Sequence, residues 1–143
     1  MCPVGPPARN PGVPVAFADV TRLLAIAIGG VIGSLGRFAV ALLAGEWNPA
    51  TLPWATLTVN IVGALAIGAV AASAAVAAGP AWLRPFVITG VLGGFTTFSA
   101  LALETGLLLD AGRVLVAVGY VVVTMAAGLV AVRLGQAAVE ARR

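Results

Sequence analysis

The chain has 143 residues, 61% of them hydrophobic and only 9% charged, with a mean hydropathy of +1.09, whereas soluble domains carry about a quarter charged residues. Such a composition excludes a soluble globular domain and marks a polytopic membrane protein with one small domain. With no histidine, one cysteine and five acidic residues, a His/Cys metal site and an internal disulfide are excluded, and the net charge of +3, all of it arginine, reports topology rather than nucleic-acid binding.

Residues 1–20 open with prolines at positions 3, 6, 7, 11 and 14, which forbid a helix there and predict a disordered tail. No basic start leads into an apolar core, so the stretch does not have the pattern of a signal peptide. Cys2 lies within it and reads as an incidental thiol. Residues 21–143 form the predicted membrane domain.

Four apolar segments follow: Leu23–Ala44, Thr56–Ala78, Arg84–Leu109 and Val114–Leu134. Each reaches the ~20 residues that a helix needs to cross the hydrocarbon core. The connections GEWNPATLPW, GPAWL and DAGR carry turn residues, and Trp47, Trp54 and Trp82 fall at segment ends, where an interfacial aromatic belt is expected. In the first segment Gly29, Gly30, Gly33 and Gly36 are spaced for close helix packing, with Gly63 and Gly68 in the second.

Four crossings put both termini and the 79–83 connection on one side. That side holds Arg9, Arg22, Arg84, Arg133, Arg142 and Arg143, against Arg113 alone on the other, with Arg37 inside the first span. The bias predicts a multi-pass protein of the cytoplasmic membrane with both termini in the cytoplasm.

A few polar residues lie inside the spans. Asn60 must face protein or water, either tying two helices together or donating to an anion. Arg37 either snorkels outward or lines a vestibule that attracts anions. Tyr120, Thr124 and Gly128 recur every four residues on one helix face, a polar track or a set of hydroxyls bonded to their own backbone. Glu104 is either a proton site or a structural partner near Asp110 and Arg113. The third segment contains Gly93-Gly94-Phe95-Thr96-Thr97-Phe98-Ser99, residues that loosen a helix. Peptide groups freed in lipid cost several kcal/mol each, so an interruption there implies an ion, a partner helix or a water-filled cavity. Carbonyls suit a hard cation such as Na+. Hydroxyls and the positive edge of the Phe98 ring suit a small anion.

Taken together, GGVIGSLGRF (29–38), TLTVNIVGALAIG (56–68) and GVLGGFTTFSALALE (90–104) resemble, in order and spacing, the Fluc-type fluoride channels, also called CrcB proteins. The resemblance covers nearly everything after residue 22. It implies an all-α membrane protein of four transmembrane helices, the third broken, that pairs as an antiparallel dimer with two fluoride pathways and a central structural Na+. It also implies site roles. Asn60, Phe98, Ser99, Tyr120, Thr124 and Arg37 correspond to the anion pathway, and the backbone carbonyls of Gly93 and Thr96 to the Na+ ligands. Leu101 stands where the family has its second phenylalanine, three residues after the first, and leucine offers no electropositive ring edge.

The expected function is passive, selective fluoride efflux, which lowers the toxicity of the ion in the cell. It involves no enzymatic chemistry and no ATP, since no phosphate-binding loop is present. The arginine bias and Leu101 favour a heterodimer with a second, oppositely inserted Fluc-like subunit, the rival being an antiparallel homodimer. Two other functions remain open at this stage: a small dimeric proton-coupled multidrug exporter, which needs an intramembrane acid that the first helix lacks, and a non-conducting partner subunit.

Overall fold

The computed structural model describes residues 15–142, with the side chains of 15–18 left out. The expected disordered tail lies, for residues 1–14, outside the described residues. Helix α1 (Val15–Ala44) begins eight residues before the apolar segment does and ends where Gly45 takes a positive φ of 74°. Helix α2 (Trp54–Ala72) follows Pro53, and the short α3 (Ala74–Ala77) continues it beyond Ser73. A π-helical stretch (Pro85–Leu92) leads into α4 (Gly93–Phe95), and α5 (Phe98–Asp110) and α6 (Val114–Glu140) complete the chain. Among the described residues, four apolar helical stretches are long enough to cross a membrane: 19–44, 54–72, 85–110 and 114–140. The protein is all-helical and multi-pass.

The boundaries have local causes. Ser73 adopts an extended ψ of 118° and its hydroxyl accepts from Val76 N. The second segment, expected as one run to Ala78, therefore stops at Ala72 and restarts as α3, because serine competes for the backbone as a cap. Gly112, at φ 72°, reverses the chain between α5 and α6, where a side chain would be strained. The connection 45–53 is ordered by its own contacts. Ala50 N donates to Asn48 Oδ1 at 2.8 Å, and Trp47 Nε1 donates to Thr51 O at 3.0 Å. Arg113 reaches across from the α5–α6 turn to donate to Pro49 O. Trp54 and Trp82 are exposed, as a belt position requires, whereas Trp47 packs on the core beside Leu57, Leu108 and Tyr120.

Glycine sets how closely the backbones approach. A Cβ on Gly29 would lie 2.5 Å from the carbonyl oxygen of Phe86, and one on Gly33 would overlap that of Val91. Residue numbers rise together along α1 and the 85–95 stretch, so the two run parallel. Gly68 and Gly135 play the same part between α2 and α6, where added Cβ atoms would overlap the carbonyls of Val132 and Leu65. Such contacts are how helices associate where lipid supplies no hydrophobic drive. The outward faces remain apolar: Leu23, Leu35 and Leu43 on α1 and Leu115 and Leu129 on α6 are all exposed.

Candidate functional site

The site is built where the third crossing changes course. Thr96 and Thr97 leave helical geometry, with φ/ψ of −77°/156° and −148°/122°, between the end of α4 and the start of α5. Several of the displaced peptide groups are met by side chains. Thr97 N, which a continuing helix would aim at Gly93 O, instead donates to Asn60 Oδ1 at 2.8 Å. Asn60 Nδ2 returns a bond to Thr97 O at 3.0 Å. Ala100 N, which would otherwise bond Thr96 O, donates to Thr97 Oγ1 at 3.2 Å and so caps α5. Arg37 Nε donates to Gly94 O at 3.2 Å. Thr96 Oγ1 donates back to Leu92 O at 3.0 Å, and its methyl fills the space that a side chain on Gly63 would need. One asparagine on α2 thus holds both the N–H and the C=O of Thr97 on the third crossing, and an arginine on α1 holds the adjacent turn.

These contacts place the residues that the sequence singled out. Asn60 and Arg37 both meet the 93–97 segment. Phe98 opens α5 and is 75% exposed. Ser99 is exposed and shares a hydrogen bond with Thr97, Oγ to Oγ1 at 3.1 Å. Asn60, Thr96, Thr97, Phe98, Leu101 and Thr124 are among the residues lining an open groove of about 320 Å³. Tyr120 and Thr124 share a face of α6 but are 2% and 3% exposed, turned into the subunit. Thr124 Oγ1 donates to Tyr120 O at 2.7 Å, so its proton is taken by its own helix, while the residue still borders the groove. Leu101 is 2% exposed and packs with Leu57, Leu108, Ala117 and Tyr120.

A second polar group lies one turn along α2. Thr56 Oγ1 donates to Glu104 Oε1 at 2.7 Å, and Tyr120 Oη donates to Glu104 Oε2 at 2.6 Å. The carboxylate therefore joins α2, α5 and α6, and it bonds neither Asp110 nor Arg113, the neighbours expected for it. Sequence reasoning passed over Thr56. The signal for Thr56 was available, since it precedes Asn60 by four residues and shares its helix face.

Donor accounting separates the groups further. The Asn60 amide carries two N–H donors and spends one on Thr97 O, leaving the other at the groove. The Thr97 and Ser99 hydroxyls together hold two protons and share one bond between them. Tyr120 spends its only proton on Glu104. The groove is thus lined by apolar carbon with a few unspent donors and an exposed aromatic ring, an arrangement suited to a small anion and poor for a cation.

Comparison with known proteins agrees with this chemistry. Residues 24–136 match the family model described as CrcB-like protein, Camphor Resistance (CrcB). The chain is similar to the fluoride-specific ion channel FluC of Paracoccus denitrificans, 47% identical over 112 residues, 78% of this chain and 89% of the relative. It is 48% identical to the FluC of Opitutus terrae over 119 residues, 80% of this chain and 89% of the relative. It is 43% identical to the fluoride-specific ion channel FluC 2 of Nocardia farcinica over 139 residues, 92% of this chain and 91% of the relative.

Proposed function

The chain belongs to the CrcB family, and on that premise we propose that it is a subunit of a fluoride-specific channel through which the ion leaves the cytoplasm by passive conduction. The observation that carries this reading is the two-handed grip of Asn60 on Thr97 beside a groove that still holds unspent donors. Fluoride holds its hydration shell tightly, so a pathway must replace that shell with close, well-aimed donors. The free Asn60 N–H, the one hydroxyl proton that the Thr97–Ser99 pair leaves unspent, and the edge of the Phe98 ring fill that role. Thr124 and Tyr120 join the track by rotating their hydroxyls away from their present acceptors. Arg37, bonded at Gly94, lowers the cost of bringing an anion into low dielectric.

We read the third crossing as a broken membrane helix. Support comes from the extended dihedrals of Thr96 and Thr97 and from the side chains that meet the displaced peptide groups. The same contacts bear on Na+. The two N–H groups that would close helical bonds onto Gly93 O and Thr96 O are both drawn to side chains, so these carbonyls fit a hard cation with oxygen ligands. Bound there, Na+ would supply fixed positive charge and brace the turn.

The groove is open along one side and Phe98 stands out from the subunit, which supports a dimer in which a second subunit closes the pathway. We place that subunit in the opposite orientation, with the termini of this chain cytoplasmic. The arginine distribution and Leu101 favour a non-identical, Fluc-like partner over a second copy.

Reconstitution into liposomes with a fluoride electrode tests the whole reading. Fluoride efflux without a proton gradient, and no chloride efflux, is expected when the oppositely inserted subunit is present. Flux that requires a proton gradient would overturn the channel. Full flux from this chain alone, with termini detected on both faces, would overturn the non-identical partner.

A further inference from the structure

The closely packed glycines do not all do the same thing. A Cβ on Gly29, Gly33, Gly68 or Gly135 would run into the backbone of a neighbouring helix, so these residues let two helix axes approach. Gly63 differs. A Cβ there would overlap Cγ2 of Thr96, and it would lie 3.5 Å from Cδ1 of Phe95. Both are side-chain atoms. Gly63 is buried, and in place of a side chain of its own it leaves a socket that holds one methyl group of the third crossing.

That methyl has little freedom. Threonine is branched at Cβ, so fixing its hydroxyl also fixes its methyl. The Thr96 hydroxyl is already spent, with Oγ1 donating to Leu92 O at 3.0 Å. The methyl then projects in one direction, into the Gly63 socket. Thr96 is also the residue at which the chain leaves the helix, at ψ 156°. Socket and hydrogen bonds are neighbours. Gly63 follows Asn60 by three residues and shares its face of α2. Thr96 directly precedes Thr97, whose N–H and C=O Asn60 holds. Helix α2 thus meets the break at two consecutive residues, by shape at Thr96 and by hydrogen bonds at Thr97. An asparagine amide follows a shifted partner by changing rotamer. A methyl seated against a helix backbone has no such play, because packed interiors do not yield.

We propose that Gly63 and Thr96 are positioning residues. Their contact sets where the break stands along α2, and so where the free Asn60 N–H and the Phe98 ring fall relative to the groove. The contact stands on geometry alone, and only its consequence for flux rests on the fluoride reading.

The test moves one methyl across the contact. Gly63→Ala puts a methyl where that of Thr96 sits. Thr96→Ser removes the latter and keeps the hydroxyl for Leu92 O. Each variant is reconstituted with the oppositely inserted subunit, and fluoride efflux is read per folded subunit, with folding followed by circular dichroism and denaturation midpoints. Gly63→Ala should lower efflux at least about tenfold. Thr96→Ser alone empties the socket and should lower it about two- to fivefold. The double variant should return to within about threefold of the unaltered chain, since one methyl again fills the space. Unchanged efflux per folded subunit in Gly63→Ala overturns the proposal, because a merely structural glycine would cost folded protein and not conduction. A double variant no better than Gly63→Ala overturns it too. If Gly63→Ala fails to fold, the double variant decides: recovered folding and flux support the proposal, and a second failure to fold overturns it. The unaltered chain reports on the channel reading and the ratio of each variant to it on this proposal, so the two fail separately.

Discussion

Two polar groups stand one helical turn apart on α2, and they differ in what they leave over. Around Glu104 the hydrogen-bond ledger closes: Thr56 and Tyr120 each donate to one carboxylate oxygen, and Tyr120 is 2% exposed. Around Asn60 it stays open. The amide satisfies both the N–H and the C=O of Thr97 and retains one N–H beside the groove. A closed polar group inside apolar surroundings rigidifies three helices. An open one is held in place yet remains available to a ligand.

Variants sharpen that contrast. The largest effect is expected for Asn60→Ala, which strips partners from both the N–H and the C=O of Thr97 and removes a pathway donor. Fluoride flux in liposomes should fall at least about tenfold. A normal flux would show that the grip is dispensable. Next is Glu104→Gln, whose amide can accept only one of the two hydroxyl protons. It should lower stability by about 1.5–3 kcal/mol, read from denaturation midpoints, and combining it with Tyr120→Phe should give less than the sum of the two losses. Additive losses would mean the two residues are not coupled.

Leu101→Phe lies between the two groups, in contact with Tyr120 and bordering the groove. If the missing ring edge limits conduction, flux should rise about two- to tenfold, at an overpacking cost of about 1–3 kcal/mol. Unchanged flux would place Leu101 in the core alone. Least affected should be Arg113→Gln, which loosens the 45–53 connection and removes no bond made by either group. It is expected to cost about 1 kcal/mol and to leave flux unaltered.

The four crossings were legible because length and hydropathy are one-dimensional properties, and 85–110 and 114–140 start within a residue of the segments read from them. The glycines and hydroxyls of 93–99 marked the unusual stretch. Their partners were not legible. Nothing local tells Asn60 that its counterpart lies 37 residues away, or Glu104 that it will meet Thr56 across 48. Those pairings follow from how far each helix slides against its neighbours, which the Gly29, Gly33, Gly68 and Gly135 contacts determine. The wide π-helical turn at Pro85–Leu92 also went unseen, since its residues are those of any apolar helix.

The exposed ring of Phe98 has a consequence of its own. Its base is stapled through Thr97 to another helix, while its far edge touches little of its own subunit. Such a ring behaves like a bracket bolted to one wall and reaching toward the next. Mutational drift on whatever surface faces it would retune the tip while the mounting stays intact, so selectivity and fold are free to evolve on separate clocks.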